Sequence, residues 1–250
     1  MLAGTAVDDP GLINKDVHPG FPEYRATAPN DLMPAAGTKP SMIEAFSIAT
    51  AHLHQDALAS QARLRHEVFV RRRGLLHSSY EGLEFDEFDT PAAKYLVWRD
   101  EDRVVRGLAR LLPTTRPYML SSYWSHLVED GNLPASPAIV EVTRVCVDKS
   151  LDPARRKMVF PELLCAIYEI LSANGGLGMV GVTREHLLSH FVRDGIKWLG
   201  PANQIEGEME RAFFVPTAFI RPEFHCRKYG IDLPVLANAE GVVAQAVKAA

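Results

Sequence analysis

The stretch Ala138-Ile-Val-Glu-Val-Thr-Arg-Val-Cys-Val147 decides the fold of this chain, together with the helical pattern of about twenty residues that follows at Pro153. Val and Ile at this density favour a strand, and the Asp and Pro of residues 148–153 are typical of a helix start. Two glycines at 175 and 176 end the helix, and residues 177–182 read as another strand. This strand, helix and strand in succession indicate an α/β protein.

The same reasoning extends outward in both directions from this unit. Upstream we predict a strand at 46–51, a helix at 55–73 ended by Gly74, a hairpin of strands 95–98 and 103–112, and a short helix at 121–129. Downstream we predict a helix at 184–193, strands at 196–199 and 211–215, and a last helix at 217–228 opened by Pro216. The expected architecture is a mixed central sheet flanked by helices on both faces.

Composition excludes several classes of protein. The chain has 250 residues, 47% hydrophobic and 23% charged, with a net charge of −4, which argues against nucleic acid as a partner. The three cysteines form no CxxC pair, and His186 and His190 do not make an HExxH motif, so we predict no metal site and a reducing cytoplasm. The longest uncharged run, 170–183, is too short for a membrane span. An export signal is not expected either, because Asp8 and Asp9 interrupt the N-terminus.

We predict three segments along the chain. Residues 1–41 are a Pro/Gly-rich extension, expected to be poorly ordered or draped, since the first forty residues hold six Pro and four Gly. Residues 42–235 form the folded domain. Residues 236–250 are a C-terminal tail compatible with a helix.

Charged residues occupy positions that the patterns reserve for apolar ones. Arg65 shares a helical stripe with Ala62 and Phe69, and Arg110 lies in a strand that is apolar on both faces. A buried guanidinium group needs an acidic partner, and the loop Gly82-Leu-Glu-Phe-Asp-Glu-Phe-Asp-Thr-Pro91 offers Asp86 and Asp89. For each residue taken alone, a surface charge or a structural ion pair is at least as good an explanation as a functional role. Their convergence from several elements favours a functional site.

The strand at 138–147 contains a further anomaly. Glu141 and Arg144 are an odd number of residues apart, so regular alternation would place them on opposite faces, and the apolar residues change phase between Val142 and Val145. We therefore predict a β-bulge near Thr143, a feature that often redirects side chains beside active sites.

Four stretches in register over about residues 46–216 carry a family resemblance: Arg65-His-Glu-Val-Phe69-Val-Arg-Arg-Arg, Gly82-Leu-Glu-Phe-Asp86-Glu-Phe-Asp89-Thr-Pro, Gly107-Leu-Ala-Arg110-Leu-Leu-Pro-Thr-Thr and Glu141-Val-Thr-Arg144. They closely resemble the acyl-homoserine lactone synthases of the LuxI type. The resemblance implies a GNAT-like acyltransferase fold and a reaction between S-adenosylmethionine and an acyl thioester, carried by acyl-carrier protein or CoA. Its products are methylthioadenosine and an N-acyl-homoserine lactone, the quorum-sensing signal. Both reactants are substrates, and no cofactor is implied.

The family's functional residues map onto this chain with two departures. Seven match, namely Arg65, Phe69, Asp86, Asp89, Arg110, Glu141 and Arg144. Leu75 stands where the family usually has tryptophan, and Trp124 takes the place of a phenylalanine. Thr183 aligns with a position linked to 3-oxo acyl chains, although it could equally be the N-cap of the following helix.

The implied chemistry assigns a role to each group. Glu141 is the candidate general base for the amine, acting through a water, with Arg144 beside it. Asp86 and Asp89 would hold the sulfonium or ammonium of the substrate, while Arg65 and Arg110 neutralise these acids.

The predicted donor contact lies at the start of the helix after Pro153. Arg155, Arg156 and Lys157 would hold the pantetheine phosphate or the acidic face of a carrier protein, although a solvated helix turn is an alternative. The loop before them lacks a Gly-rich pyrophosphate cradle, which favours a carrier-protein donor over CoA. Two rival functions stay open: an N-acyl amino acid synthase of the same fold, and a catalytically silent relative that binds acyl groups or S-adenosylmethionine.

Overall fold

A computed structural model describes residues 43–75, 79–192 and 194–237. The predicted N-terminal extension and almost all of the predicted C-terminal tail lie outside these ranges. Within them, no helix has the length and apolar character needed to cross a membrane.

An eight-stranded sheet forms the centre of the domain. The described part of the chain contains ten strands, of which all but β2 and β3 belong to this sheet. They are β1 (Ile43–Ser47), β2 (Ser79–Tyr80), β3 (Leu83–Glu84), β4 (Lys94–Arg99), β5 (Val105–Pro113), β6 (Ile139–Val147), β7 (Gly178–Thr183), β8 (Lys197–Trp198), β9 (Asn203–Ile205) and β10 (Glu208–Pro216). Their order in the sheet is β1-β4-β5-β6-β7-β10-β8, with β9 paired to β10 and a separate β2–β3 hairpin. The β6–β7 pair is parallel and the other pairs are antiparallel.

Helices cover both faces of this sheet, as predicted. They are α1 (Gln55–Arg65), α2 (Met119–Tyr123), α3 (Pro153–Ala173), α4 (Glu185–Phe191) and α5 (Pro222–Tyr229). Residues of α3, α4 and α5 share one apolar core with the sheet, and residues of α1 and α2 share a second core on the opposite face. The prediction of a mixed α/β sheet between helical layers is therefore confirmed.

Several predicted boundaries were wrong. The helix predicted at 55–73 is α1 followed by a π-helical segment, His66–Arg72, and the first strand lies at Ile43–Ser47 rather than 46–51, where a 3-10 helix, Ile48–Leu53, begins instead. The helix predicted at 121–129 is α2 and a separate 3-10 turn. The last helix starts at Pro222, because Pro216 ends β10 and only a 3-10 turn follows it. The short strands β2, β3 and β9 were not predicted.

The domain continues past the predicted end at residue 235. Leu236 is buried and forms a parallel bridge with Ile43, and the N–H of Ala237 donates to the carbonyl of Ile43 at 2.9 Å. The carboxylate of Glu169 on α3 accepts from the N–H groups of Val235 and Leu236. These bonds extend the sheet edge beside β1, a pairing that no local pattern encodes.

The predicted bulge in β6 is confirmed. Leu108 of β5 faces Cys146, but Arg110 faces Thr143, so a single residue of β5 spans two residues of β6. Arg144 sits at the bulge with a φ of +52°. Pairing between β6 and β7 ends at Glu141 and Val180, although both strands continue. The two strands therefore separate beyond Glu141 and leave a gap in the sheet.

Gly107 of β5 allows α3 to lie close against the sheet. A Cβ at this position would be 2.2 Å from Cγ1 of Val159 and 3.1 Å from Cβ of Trp98. We expect Gly107→Ala to lower the free energy of unfolding by about 1–3 kcal/mol through overpacking, measured by urea denaturation. Val159→Ala removes the clashing methyl groups, so the double variant should be more stable than the sum of the single effects predicts. Strict additivity of the two changes would contradict this contact.

Candidate active site

A buried cluster of ion pairs lies between α1 and the sheet. Arg65, at the end of α1, is fully buried and donates through Nη1 and Nη2 to the two carboxylate oxygens of Asp89 at 2.8 and 3.0 Å. Its Nε donates to Glu84 of β3. The hydroxyl of Tyr95 on β4 also donates to Asp89, at 2.7 Å. Arg65, which was predicted to need an acidic partner, therefore donates to two carboxylates.

Arg110 completes the cluster from β5. Its Nη1 and Nη2 donate to the two carboxylate oxygens of Asp86 at 2.6 and 2.9 Å, and Nη1 also contacts Asp89 at 2.8 Å. The Nε atom donates to the hydroxyl of Thr143 at 3.0 Å, beside the bulge. Arg144 reaches Asp86 at 2.7 Å and Glu84 at 3.2 Å. Three arginines and three carboxylates thus balance one another.

Arg65 and Arg110 neutralise Asp86 and Asp89, as predicted, whereas contact of these acids with a substrate cation stays a prediction. Burial opposes ionisation of both carboxyls, but the arginines outweigh it and hold the pKa of each below its usual value. Every carboxylate oxygen of the two residues already accepts from a guanidinium group, so much of their negative charge is balanced within the cluster. Their contacts point to a structural role in fixing the loop and the three arginines.

The sequence reasoning missed Glu84 and Tyr95. Glu84 has a fully buried carboxylate shared by Arg65 and Arg144. It lies two residues before Asp86 in the same acidic loop, so period-two alternation was the available signal. Tyr95 was assigned to a strand only, and its contact with Asp89 depends on the fold of the loop.

Glu141 lies outside this cluster at the point where β6 and β7 separate. It is fully buried, and its two carboxylate oxygens accept from the N–H groups of Met119 and Leu120 at 2.8 and 2.7 Å. Burial raises the pKa of Glu141 to about 7, against the lowering effect of these N–H groups and of Arg110 and Arg144. A carboxyl that titrates near neutrality is suited to accept and release a proton.

A cavity of about 350 Å³ opens at the same gap. Leu164, Ile167 and Phe213 line it from the core on the α3 face, whereas Phe69 and Met119 line it from the core on the α1 face. The cavity therefore crosses the sheet, with Glu141 and Arg144 on its wall. One side can take an apolar chain while the other takes a polar reactant.

Comparison with known proteins assigns this chain to a family. The sequence profile of the autoinducer synthases matches residues 50–215. The chain belongs to the autoinducer synthase family. An acyl-homoserine-lactone synthase of Pseudomonas aeruginosa is 32% identical over 181 residues, which cover 70% of this chain and 87% of that protein. An isovaleryl-homoserine lactone synthase of Bradyrhizobium diazoefficiens is 38% identical over 107 residues, or 42% of this chain and 48% of that one.

A solved structure supports the same assignment. The CoA-dependent acyl-homoserine lactone synthase BjaI, with S-adenosylmethionine and isopentyl-CoA, superimposes with a TM-score of 0.70 at 27% identity, covering 83% of this chain and 99% of that chain. The chain therefore has the mixed α/β fold of an acyl-homoserine lactone synthase, as expected from the sequence.

Two aromatic residues that this autoinducer synthase was expected to use lie on the cavity wall, whereas Leu75 packs against the core. Phe69 and Trp124 both line the cavity. The guanidinium carbon of Arg144 lies 5.3 Å from the centre of the Phe69 ring and that of Arg73 lies 6.0 Å from it, a cation–π arrangement. Leu75 packs against the core on the α1 face and is half-buried.

Thr183 lines the cavity at the end of β7. The interpretation of Thr183 as a helix cap was wrong, because Arg184 occupies the N-cap position of α4 and this helix has no side-chain cap. Its position in the cavity wall is compatible with the contact to an acyl chain that the family resemblance implies.

The basic residues at the start of α3 are at the surface. Arg155 pairs with Glu101 at 3.1 Å, Arg156 donates to the carbonyl of Lys149 at 2.9 Å, and Lys157 is exposed. The side chain of Asp152 caps the helix and accepts from the first backbone N–H groups.

The structure gives no support for a cysteine nucleophile or, among the described residues, for a metal site. Cys146 lines the cavity but is buried, which raises the pKa of its thiol to about 12, so it stays protonated and unreactive. Among residues 43–75, 79–192 and 194–237, no cluster of three or more His, Cys, Asp or Glu side chains could bind a metal ion.

Proposed function

We propose that this autoinducer synthase makes N-acyl-homoserine lactones as quorum-sensing signals. It transfers an acyl group from a thioester to the amine of S-adenosylmethionine, and lactonisation then releases methylthioadenosine. The observation that carries the proposal is Glu141, a buried carboxyl with a pKa of about 7 on the wall of a cavity that crosses the sheet. The family assignment points to the same chemistry.

In the first half-reaction, Glu141 removes a proton from the ammonium group of the substrate through a water. The neutral amine attacks the thioester carbonyl, the C–S bond breaks, and the proton that the attacking nitrogen loses passes to the departing thiolate. Arg144 lines the cavity and is placed to stabilise the negative charge that develops on the carbonyl oxygen. The ion pairs with Glu84 and Asp86 hold its guanidinium group in position.

In the second half-reaction, the substrate's own carboxylate attacks the γ-carbon. A C–O bond forms, the C–S bond to the sulfonium breaks, and methylthioadenosine leaves with the electron pair. No further proton acceptor is needed, so the contribution of the protein is to hold the methionine moiety in a folded conformation. The acyl chain would lie against the apolar wall that includes Leu164 and Phe213, with Thr183 at its side.

The assay of this function uses the purified full-length protein, S-adenosylmethionine and a panel of acyl thioesters from butanoyl to tetradecanoyl. Mass spectrometry should detect a homoserine-lactone ring and an equal amount of methylthioadenosine. Acylated amino acids in place of the lactone would instead support an N-acyl amino acid synthase, a rival kept open by Leu75. Neither product from folded protein with any donor would support a binding relative without activity.

We assign the donor contact to the exposed side of the α3 start, with acyl-carrier protein as the donor and the cytoplasm as the location. Asp152 already occupies the helix N-terminus, which leaves side chains rather than backbone N–H groups to bind the donor. The acidic surface of a carrier protein complements Arg155, Arg156 and Lys157.

Charge reversal at this surface tests the donor. We expect Lys157→Glu to raise KM for an acyl-carrier protein by about tenfold, with little change in KM for S-adenosylmethionine. Lys197→Glu is the matched control. Lys197 is an exposed lysine on β8, at one end of the sheet order, whereas the start of α3 contacts the β4–β5 turn near the other end through the Arg155–Glu101 pair. Equal effects of the two variants, or an unchanged KM in Lys157→Glu, would remove α3 from the donor contact.

A further inference from the structure

The charged groups of the cavity wall are few and can be assigned individually. In the part of the chain that the structure describes, the carboxylates lining the cavity are Glu141, Glu206 and Glu210, and the guanidinium groups are those of Arg73, Arg144 and Arg184. Glu141 and Arg144 belong to the proposed reaction centre. The remaining two acids lie together on the β9–β10 hairpin and are not used by the mechanism derived above.

The proposed amine substrate brings a permanent positive charge into this cavity. A sulfonium carries its charge at every pH, and it cannot be neutralised by losing a proton. Moving such a charge out of water is unfavourable unless an anion or the face of an aromatic ring lies close to it, and an anion is the stronger partner. The short methionine chain keeps the sulfonium in the same cavity as the reacting amine, so its counter-charge must come from the cavity wall.

The acids first expected to supply this counter-charge are already paired. Asp86 and Asp89 accept from Arg65 and Arg110, and neither lines the cavity. Glu141 accepts from two backbone N–H groups and handles the proton of the amine. By elimination among the cavity's carboxylates, the hairpin acids are left to face the sulfonium.

Glu210 has the geometry for this contact. It lies in β10 opposite Asn203 of β9, and only 14% of its side chain is exposed, so its charge is weakly screened by solvent. Arg73 approaches its carboxylate to 3.5 Å and that of Glu206 to 3.9 Å. The same arginine lies 6.0 Å from the Phe69 ring, which places the acid near an aromatic wall of the cavity.

We propose that Glu210, supported by Glu206, is the binding residue for the sulfonium of S-adenosylmethionine and sets the preference for a cationic over a neutral thioether substrate. The inference rests on the proposed function. Arg73 holds the carboxylate at the cavity wall in the empty enzyme, and the substrate cation takes up the remaining face of the carboxylate on binding.

Affinity for two ligands that differ by one methyl group and one charge tests the inference without turnover. Isothermal calorimetry on the full-length protein compares S-adenosylmethionine with S-adenosylhomocysteine. We expect the wild type to prefer the sulfonium compound, and Glu210→Gln to reduce this preference by about tenfold. Glutamine keeps the shape of the side chain and an acceptor for Arg73.

The matched control is Glu208→Gln. Glu208 is on the same hairpin, pairs with Arg184 at 3.4 Å and does not line the cavity, so its removal changes net charge equally. This variant should keep the wild-type preference. An unchanged preference in Glu210→Gln, or an equal loss in both variants, would overturn the inference.

Arg73 loses a charged partner in Glu210→Gln and would then repel the sulfonium by itself. The double variant Arg73→Gln, Glu210→Gln removes that repulsion together with the carboxylate, so any part of the loss caused by Arg73 is restored, and we expect the preference to stay well below that of the wild type. Recovery of the preference in the double variant would assign the effect to Arg73 and overturn the inference. A wild type that makes lactone without preferring the sulfonium compound would also overturn it, whereas absence of lactone is the separate failure of the proposed function.

Discussion

Glu141→Gln should lower kcat by about 10²–10⁴-fold, the usual contribution of a positioned general base. Glutamine has the shape of a neutral carboxyl and still accepts a hydrogen bond from the N–H of Met119 or Leu120, but it cannot take a proton from the amine. The lactone assay with saturating substrates measures the effect. A kcat within a few-fold of the wild type would exclude Glu141 as the base.

The pH dependence of Glu141 has opposite signs for activity and stability. Activity should rise as the pH increases through about 7, because the base must be ionised. A raised folded-state pKa means that the native state binds the proton more tightly than the unfolded state does. Stability from this group is therefore full below the ordinary pKa of 4.5 and falls as the pH rises toward 7. Glu141→Gln should abolish this loss, which chemical denaturation at several pH values will show.

Alanine is the less informative substitution at this position. From the sequence, one expects Glu141→Ala to damage turnover far more than folding. The structure changes that expectation, because Ala would leave the buried N–H groups of Met119 and Leu120 without an acceptor. Each such group costs about 1–3 kcal/mol, so the alanine variant should also be less stable.

Arg110→Ala should have the largest effect on folding, a loss of about 3–5 kcal/mol in the free energy of unfolding. The guanidinium group is fully buried and bonds to Asp86, Asp89 and Thr143, so its removal leaves buried carboxylates with too few partners. Thermal and urea unfolding measure the effect. Lactone synthesis should fall as well, since Asp86 also positions Arg144.

The control for Arg110→Ala is Arg71→Ala. Arg71 forms an exposed pair with Glu67, four residues earlier, and should change stability by less than about 0.5 kcal/mol.

The pKa values of Asp86 and Asp89 are lowered in the folded state, so their stabilising effect is present above the ordinary pKa of 3.8 and is lost as the pH falls below it. The difference between wild type and Arg110→Ala should therefore shrink in acid. An unchanged melting temperature at neutral pH would contradict the buried pairing.

Much of the fold could be predicted because its signals are local. The β6–α3–β7 unit follows from a β-branched run, a helix start at Pro153 and two glycines, and each acts within a few residues. The bulge in β6 was visible as a phase change in the apolar residues. The errors lie where competing local patterns are close in strength, as at Pro216 and Pro222, both of which can open a helix.

Most members of the buried ion-pair cluster were predicted from the sequence, and the catalytic and binding roles given to them stay predictions. Arg65 and Arg110 could be identified because each is a charged residue on an apolar face. A buried guanidinium group needs an acidic partner, which pointed to Asp86 and Asp89. Which acid meets which arginine depends on distances between elements far apart in sequence, so the shared carboxylate of Glu84 was overlooked. The pairing of Arg65 and Arg110 with Asp86 and Asp89 was predicted, but the same limit hid the contacts of Arg144 with Glu84 and Asp86.

The sequence by itself determined the strand and helix order, the bulge, the family and the charged residues that had to be paired. Only the tertiary structure decided that β6 and β7 separate beyond Glu141, that this carboxyl is buried against the N–H groups of α2, and that Glu210 reaches the same cavity. Patterns along a chain report the environment that each residue needs. Partners across the sheet, and the pKa values they set, arise only when distant segments pack together.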